Sequence, residues 1–135
     1  MLGEYLVELF EECELLGGFK IKNDYLSRDK NSMSVRDISV EKVIKNYCDG
    51  GKICQRDFVI TLRLEGGEDN LSNSIFLEEL CEWIAGLGED SPFPDYDSDT
   101  SPISIEITNG PLITSDEAHT LLYEMECVFQ YIKSF

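Results

Sequence analysis

Phe58-Val59-Ile60-Thr61-Leu62-Arg63-Leu64-Glu65 is the stretch that decides the fold. Phe58, Ile60, Leu62 and Leu64 alternate with Val59, Thr61, Arg63 and Glu65. A period of two sends one side of a strand into a core and the other toward solvent. Asp49-Gly50-Gly51 upstream is a turn signal, and Glu65-Gly66-Gly67-Glu68-Asp69-Asn70 ends the strand as a polar loop. Beyond that loop Phe76, Leu80, Trp83, Ile84 and Leu87 recur at helical spacing, which predicts a helix over 72–86 able to lay its apolar stripe on a sheet.

Toward the start of the chain, Leu2, Leu6, Leu9, Phe10, Cys13 and Leu16 recur at spacings of three and four, with Glu4, Glu8, Glu11 and Glu12 opposite them. This predicts an amphipathic helix that stops at Gly17-Gly18, where glycine supplies the left-handed cap. Residues 19–46 show a weaker pattern, read as short strands over 19–22, 33–38 and 43–47 with turns between them.

Toward the end, residues 88–101 hold Glu89, Asp90, Asp95, Asp97 and Asp99 with Pro92 and Pro94 and no base. This predicts a mobile acidic surface loop with little apolar area to bury. Ile103, Ile105 and Ile107 then alternate as a strand, closed by a turn at Asn109-Gly110-Pro111. The last segment fits two periods. Ala118, Leu121, Leu122, Met125, Val128, Phe129 and Ile132 suit a helix, while Leu121, Tyr123, Met125, Cys127, Phe129 and Tyr131 suit one face of a strand.

The chain has 135 residues, 42% of them apolar, which suits a single domain with its own core. Its 27 acids against 11 bases, a formal charge of -16, argue against gripping nucleic acid through phosphates. No stretch approaches the roughly 18 consecutive apolar residues of a membrane span, and no basic region precedes the first apolar positions, so a soluble protein made in the cytoplasm is expected. The charge is uneven. Residues 1–17 carry five acids and no base, residues 19–63 ten bases against six acids, and residues 65–135 sixteen acids with Lys133 alone. Such asymmetry suggests surfaces of unlike potential that can pack head to tail.

Much chemistry is missing. His119 is the only histidine, and no Gly-x-Ser-x-Gly elbow presents a nucleophile. The cysteines (Cys13, Cys48, Cys54, Cys81, Cys127) form no Cys-x-x-Cys pair, and four of them sit in apolar patterns as small hydrophobes. Cys48 and Cys54 flank the Gly-Gly turn and could face each other across a hairpin, although a reducing cytoplasm keeps them as thiols. Asp95, Asp97 and Asp99 match the start of a calcium loop in part. Counting from Asp95, Glu106 falls twelfth, but Thr100 stands where the loop needs glycine and Glu106 lies in a strand pattern. No cofactor, no metal and no enzymatic activity are therefore expected.

The order of features carries a resemblance. The N-terminal helix and short strands lead to Tyr47-Cys48-Asp49-Gly50-Gly51-Lys52 and Gln55-Arg56-Asp57-Phe58-Val59-Ile60. The helix with Phe76-Leu77-Glu78-Glu79-Leu80-Cys81-Glu82-Trp83-Ile84 follows, then Ile105-Glu106-Ile107-Thr108-Asn109-Gly110 and Leu122-Tyr123-Glu124-Met125-Glu126-Cys127. Over about 1–131 this series resembles the minor capsid or tail-completion proteins of Gram-positive prophages, which are similar to the tail terminators of long-tailed phages. It departs from them in its more acidic 88–101 stretch and in Glu124 and Glu126.

The resemblance implies an α+β fold: an antiparallel sheet of about four to six strands, with the N-terminal helix and a second helix on one face and the last segment a strand. It implies a virion protein, assembled in the bacterial host cytoplasm, that caps the tail tube as a ring of six copies. Such a ring ends tail polymerisation and meets the head connector or adaptor protein, and DNA passes through it without specific binding. Lumen or subunit-interface candidates are Glu65, Glu68, Asp69, Arg56, Arg63 and Lys52, with the acids of the 88–101 stretch beside them. The competing expectation is a small acidic mimic of nucleic acid that inhibits a basic host protein.

Overall fold

In the computed structural model, which describes residues 2–24, 26, 31–38, 40–65, 70–88, 93, 94, 96, 98–117 and 120–134, the described chain opens with α1 (Leu2–Glu11) and a 3-10 turn at Glu14–Leu16. The short strands β1 (Lys20–Asn23), β2 (Ser32–Asp37) and β3 (Lys42–Asn46) precede the long β4 (Lys52–Glu65). Then come α2 (Asn70–Ala85), β5 (Thr100–Glu117) and β6 (Thr120–Lys133). The strands form one six-stranded sheet in the order β1-β2-β4-β6-β5, with β3 also on β4, and the class is α+β.

β4 and β6 are the spine. They pair antiparallel without a break from Lys52↔Lys133 to Glu65↔Thr120. Phe58, Ile60, Leu62 and Leu64 stand on one side of the ladder beside Cys127, Met125, Tyr123 and Leu121, and all are buried. Each such side chain contributes about 1.5–3 kcal/mol through its burial. β2 and β3 lie end to end along the other edge of β4, β2 against residues 58–63 and β3 against 52–55.

Both helices cover the same side of the sheet. α1 packs on β1 and β2 and α2 on β5, and the two helices meet where the Phe10 and Trp83 rings lie 5.8 Å apart. Phe19 and Phe76 stack at 5.4 Å between the chain after α1 and α2. Phe129 of β6 sits among the rings of Tyr5, Phe93, Tyr96 and Tyr131.

Several sequence expectations are refined. The first α-helix ends at Glu11, not at Gly17: Cys13 is extended at φ -76° and ψ 120°, and Gly17 closes only the 3-10 turn. The sheet is mostly rather than wholly antiparallel, because β1 runs parallel to β2. The long strand begins at Lys52, before Phe58, since β3 pairs with its first residues.

Asn109-Gly110-Pro111 is not a strand-ending turn. β5 continues through it to Glu117 with register shifts on either side, so the glycine marks a bulge against β6. The last segment is a strand, β6, paired on both edges. Of the 88–101 stretch, the described residues Phe93 and Tyr96 pack on the core, and the Tyr5 hydroxyl donates to the Pro94 carbonyl at 2.8 Å. The expectation of little buriable area overlooked these two rings.

Candidate functional site

The edge strand β3 and its turn into β4 form an exposed corner of the sheet, the arm, while residues 52–55 of β4 pair with both β3 and β6. Its turn is the expected one: the Asp49 side chain accepts from the Gly51 N–H at 3.0 Å, the Tyr47 N–H donates to the Gly51 carbonyl at 2.8 Å, and Gly50 takes φ +91°. Residues 41–50 are all exposed, and with them Ile38 and Val40, the latter 83% exposed. Val43 pairs with Cys54 and so faces the helix side. α1 and α2 lie over β1, β2 and β5, which leaves Val43, Ile44 and Tyr47 at the surface. Lys42 and Lys45 pair with Gln55 and Ile53 and so stand on the face opposite Val43, Lys45 over the Tyr47 ring at 5.2 Å.

One polar cluster anchors the arm. Glu41, just before β3, takes a hydrogen bond of 2.5 Å from the Tyr131 hydroxyl and an ion pair of 2.9 Å from the Lys133 ammonium. The Tyr131 hydrogen bond, aided by Lys133, holds the Glu41 carboxyl below its ordinary value. Burial, with the Glu41 carboxylate beside it, pushes the Tyr131 hydroxyl up, and the bond to Glu41 raises Lys133. Next to them Arg56 and Asp37 form an ion pair that ties β4 to the end of β2.

A second apolar patch lies at the opposite corner. Ile75 of α2 and Ile113 of β5, which faces the helix side beside Tyr123, are each at least half exposed, while exposed Leu112 pairs with Glu124 and stands on the other face of the sheet. Between α2 and β5 opens a groove of about 420 Å³ lined by Ser74, Leu77, Glu78, Cys81, Pro111, Ile113 and Tyr123. Charge is layered as well. Glu4, Glu8, Glu11, Glu12, Glu14, Glu78, Glu79 and Glu82 are exposed on the helix layer, and α1 and α2 contain no base. Every described basic residue lies in a strand, all but Lys133 in β1–β4.

The sequence candidates are dispersed. Glu65 is exposed at the end of β4, where its carbonyl accepts from the Asn73 side chain at 2.8 Å; Glu68 and Asp69 lie outside the described residues. Arg63 donates to the Thr120 hydroxyl at 3.3 Å, Arg56 pairs with Asp37, and Lys52 starts β4 beside Lys133. They do not form one site.

Asp99 is exposed before β5 and Glu106 is exposed within it, whereas Asp95 and Asp97, like His119, lie outside the described residues. Among the described residues no three His, Cys, Asp or Glu side chains gather as a metal site. Cys48 lies in the arm's turn and Cys54 pairs with Val43, so the two do not face each other, and all five thiols are free. Burial raises Cys13, Cys54 and Cys81 and pushes Cys127 to about 12, which keeps these sulfurs protonated and poor nucleophiles.

Sequence reasoning missed the exposure of the β3 edge on both faces and Glu41 as its anchor. The available signal was the run Val40-Glu41-Lys42-Val43-Ile44-Lys45, whose apolar residues have no matching helix beside the Asp-Gly-Gly turn. Among the described residues no helix is long and apolar enough to cross a membrane. The chain matches no family model, and no curated protein matches it.

Proposed function

We propose that this chain is a structural virion protein that caps the tail tube of a long-tailed phage as a ring of six copies. In this reading the ring ends tail polymerisation and joins the tail to the head through the connector or adaptor protein. One observation carries it: two unlike apolar patches, on the arm and beside the α2–β5 groove, stand at opposite corners of one sheet. A closed ring needs two different surfaces on each copy, whereas a two-fold dimer needs only one self-complementary patch.

The acidic helix layer supports the same reading, because carboxylates lining a channel repel DNA phosphates and let the duplex slide without binding. The test is polymerisation of the purified tail tube protein with and without this chain, with lengths read by electron microscopy. Short tubes ending in a ring are expected; an unchanged length distribution would refute the reading.

The eight exposed glutamates of the helix layer favour a second reading, in which they imitate a phosphate track and occupy the groove of a basic host protein. Its signature is strongly salt-dependent capture of a host protein together with no effect on tube length.

A further inference from the structure

We propose that the sheet face opposite the helices is a dimerisation surface, on which a second copy of this chain lies face to face about a two-fold axis along β4, with Arg36 of each copy over Glu126 of the other. The proposal goes beyond the ring reading and does not rest on it, because such a contact pairs two copies whether or not each also sits in a ring.

The register places the charges. Phe58 and Ile60 face the helices, so Val59 between them faces away, and with it stand its neighbours across the strands, Arg36 of β2 and Glu126 of β6, both exposed. Lys22 of β1 lies in line with Glu124 of β6 through Ser34 and Thr61 on the same face. β3 adds Lys42 and Lys45, and β5 adds Glu106 opposite Val128. On this face β1, β2 and β3 hold bases and no acid. β5 contains no base, and Lys133 of β6 stands on the helix side with Tyr131, so β6 and β5 present only acids here. β4 is the divide between a basic half and an acidic half.

A face divided in this way is complementary to itself. The two-fold axis along β4 carries β2 onto the partner's β6 at the same level, so the dimer forms the Arg36–Glu126 contact twice, brings Lys22 beside Glu124 and stacks Val59 on its own copy at the centre. A nucleic acid or a uniformly charged protein would be repelled by one half of the face, whereas a second copy turned about this axis suits both. The area is sufficient as well. The β4–β6 ladder of 14 residues is about 46 Å long, and the four strand positions from β2 and β3 to β5 are about 19 Å wide, which gives about 900 Å² per copy. A stable interface needs about 800 Å² from each partner. Among the described residues both helices pack on the other side, and no element covers this one.

The test uses the full chain in low salt, followed by sedimentation from about 10 μM to about 1 mM, the range over which a weak single interface saturates. Two variants are made, Arg36→Glu and Glu126→Arg, both at exposed positions, and circular dichroism checks that each folds. The wild type should form dimers, and each variant alone should associate about tenfold more weakly or worse, because like charges then meet at both symmetric contacts.

An equal mixture of the two should dimerise as the wild type does, since a copy with glutamate at both positions then faces a copy with arginine at both. A misfolded variant cannot show this rescue. Wild-type chain that stays monomeric throughout the range would overturn the proposal. So would single variants that associate as the wild type does, which would place any contact between copies elsewhere, and so would a mixture of folded variants that stays apart. None of these results bears on tube length, which tests the ring reading separately.

Discussion

Replacing Phe129 with alanine tests how the two layers are held together. The side chain is fully buried at the centre of β6, with ring centroids of Tyr131 at 5.2 Å, Tyr5 at 5.8 Å, Phe93 at 6.2 Å and Tyr96 at 6.4 Å. Truncating a buried phenylalanine costs about 3–5 kcal/mol in lost transfer energy and cavity. Individual ring pairs contribute about 0.5–1.5 kcal/mol beyond area, and four pairs around one ring overlap, so the upper half of the truncation range is expected. A chain of 135 residues has an unfolding entropy of about 0.28 kcal/mol/K, so a loss of about 4 kcal/mol lowers Tm by about 14 °C.

The assay is urea and thermal unfolding followed by Trp83 fluorescence, with hydrogen exchange reporting on α1. Exchange should rise in α1, because Tyr5 loses its stacked partner while its hydroxyl still bonds the Pro94 carbonyl. A loss below about 1 kcal/mol, the size of an average substitution, would refute the packing of both layers on this ring.

Three further outcomes are expected. Glu41 titrates below its ordinary value, so the stability it gives the arm is complete above the unfolded value of 4.5 and disappears as pH falls through the lower folded value. Limited proteolysis of the arm should therefore rise on acidification in the wild type, and Glu41→Gln should be cut readily even at neutral pH; equal cutting of both at neutral pH would contradict the anchoring role. Gly110 sits at φ +93°, and an added Cβ would lie 2.6 Å from the Glu124 carbonyl oxygen. Gly110→Ala should lower the urea midpoint by an amount equivalent to about 1–3 kcal/mol, and an unchanged midpoint would refute the bulge geometry. A thiol reagent at mildly alkaline pH should modify exposed Cys48 first and Cys127 last, because burial pushes Cys127 to about 12; mass spectrometry of the labelled peptides reads the order.

The fold was legible wherever one face of an element is wet and the other dry. Alternation at Phe58–Glu65 and the stripes of α1 and α2 report such faces directly. β6 was ambiguous because it lies between two strands. Leu122, Val128 and Ile132 on its second face are themselves partly buried, so apolar residues appear on both sides and a helical spacing fits by coincidence. Gly110 signalled a turn, yet β6 is long enough to keep pairing with β5 beyond it, and the chain bulges instead of reversing.

The parallel direction of β1 depends on where the chain goes after Asn23, which no local pattern encodes. The candidate site was harder still. Basic and acidic segments were visible, but Glu41 meets Tyr131 and Lys133 across some ninety residues of sequence, a distance over which spacing carries no signal. The arm's exposure follows from which strands the helices cover, a tertiary fact.

The most direct test of the central claim is electron microscopy of phage particles assembled with and without this gene, scoring tail length and head attachment. Overlong tails without heads, restored to uniform length and joined to heads when the gene is supplied in trans, are the result the ring account predicts. Normal, infectious virions in its absence would contradict it.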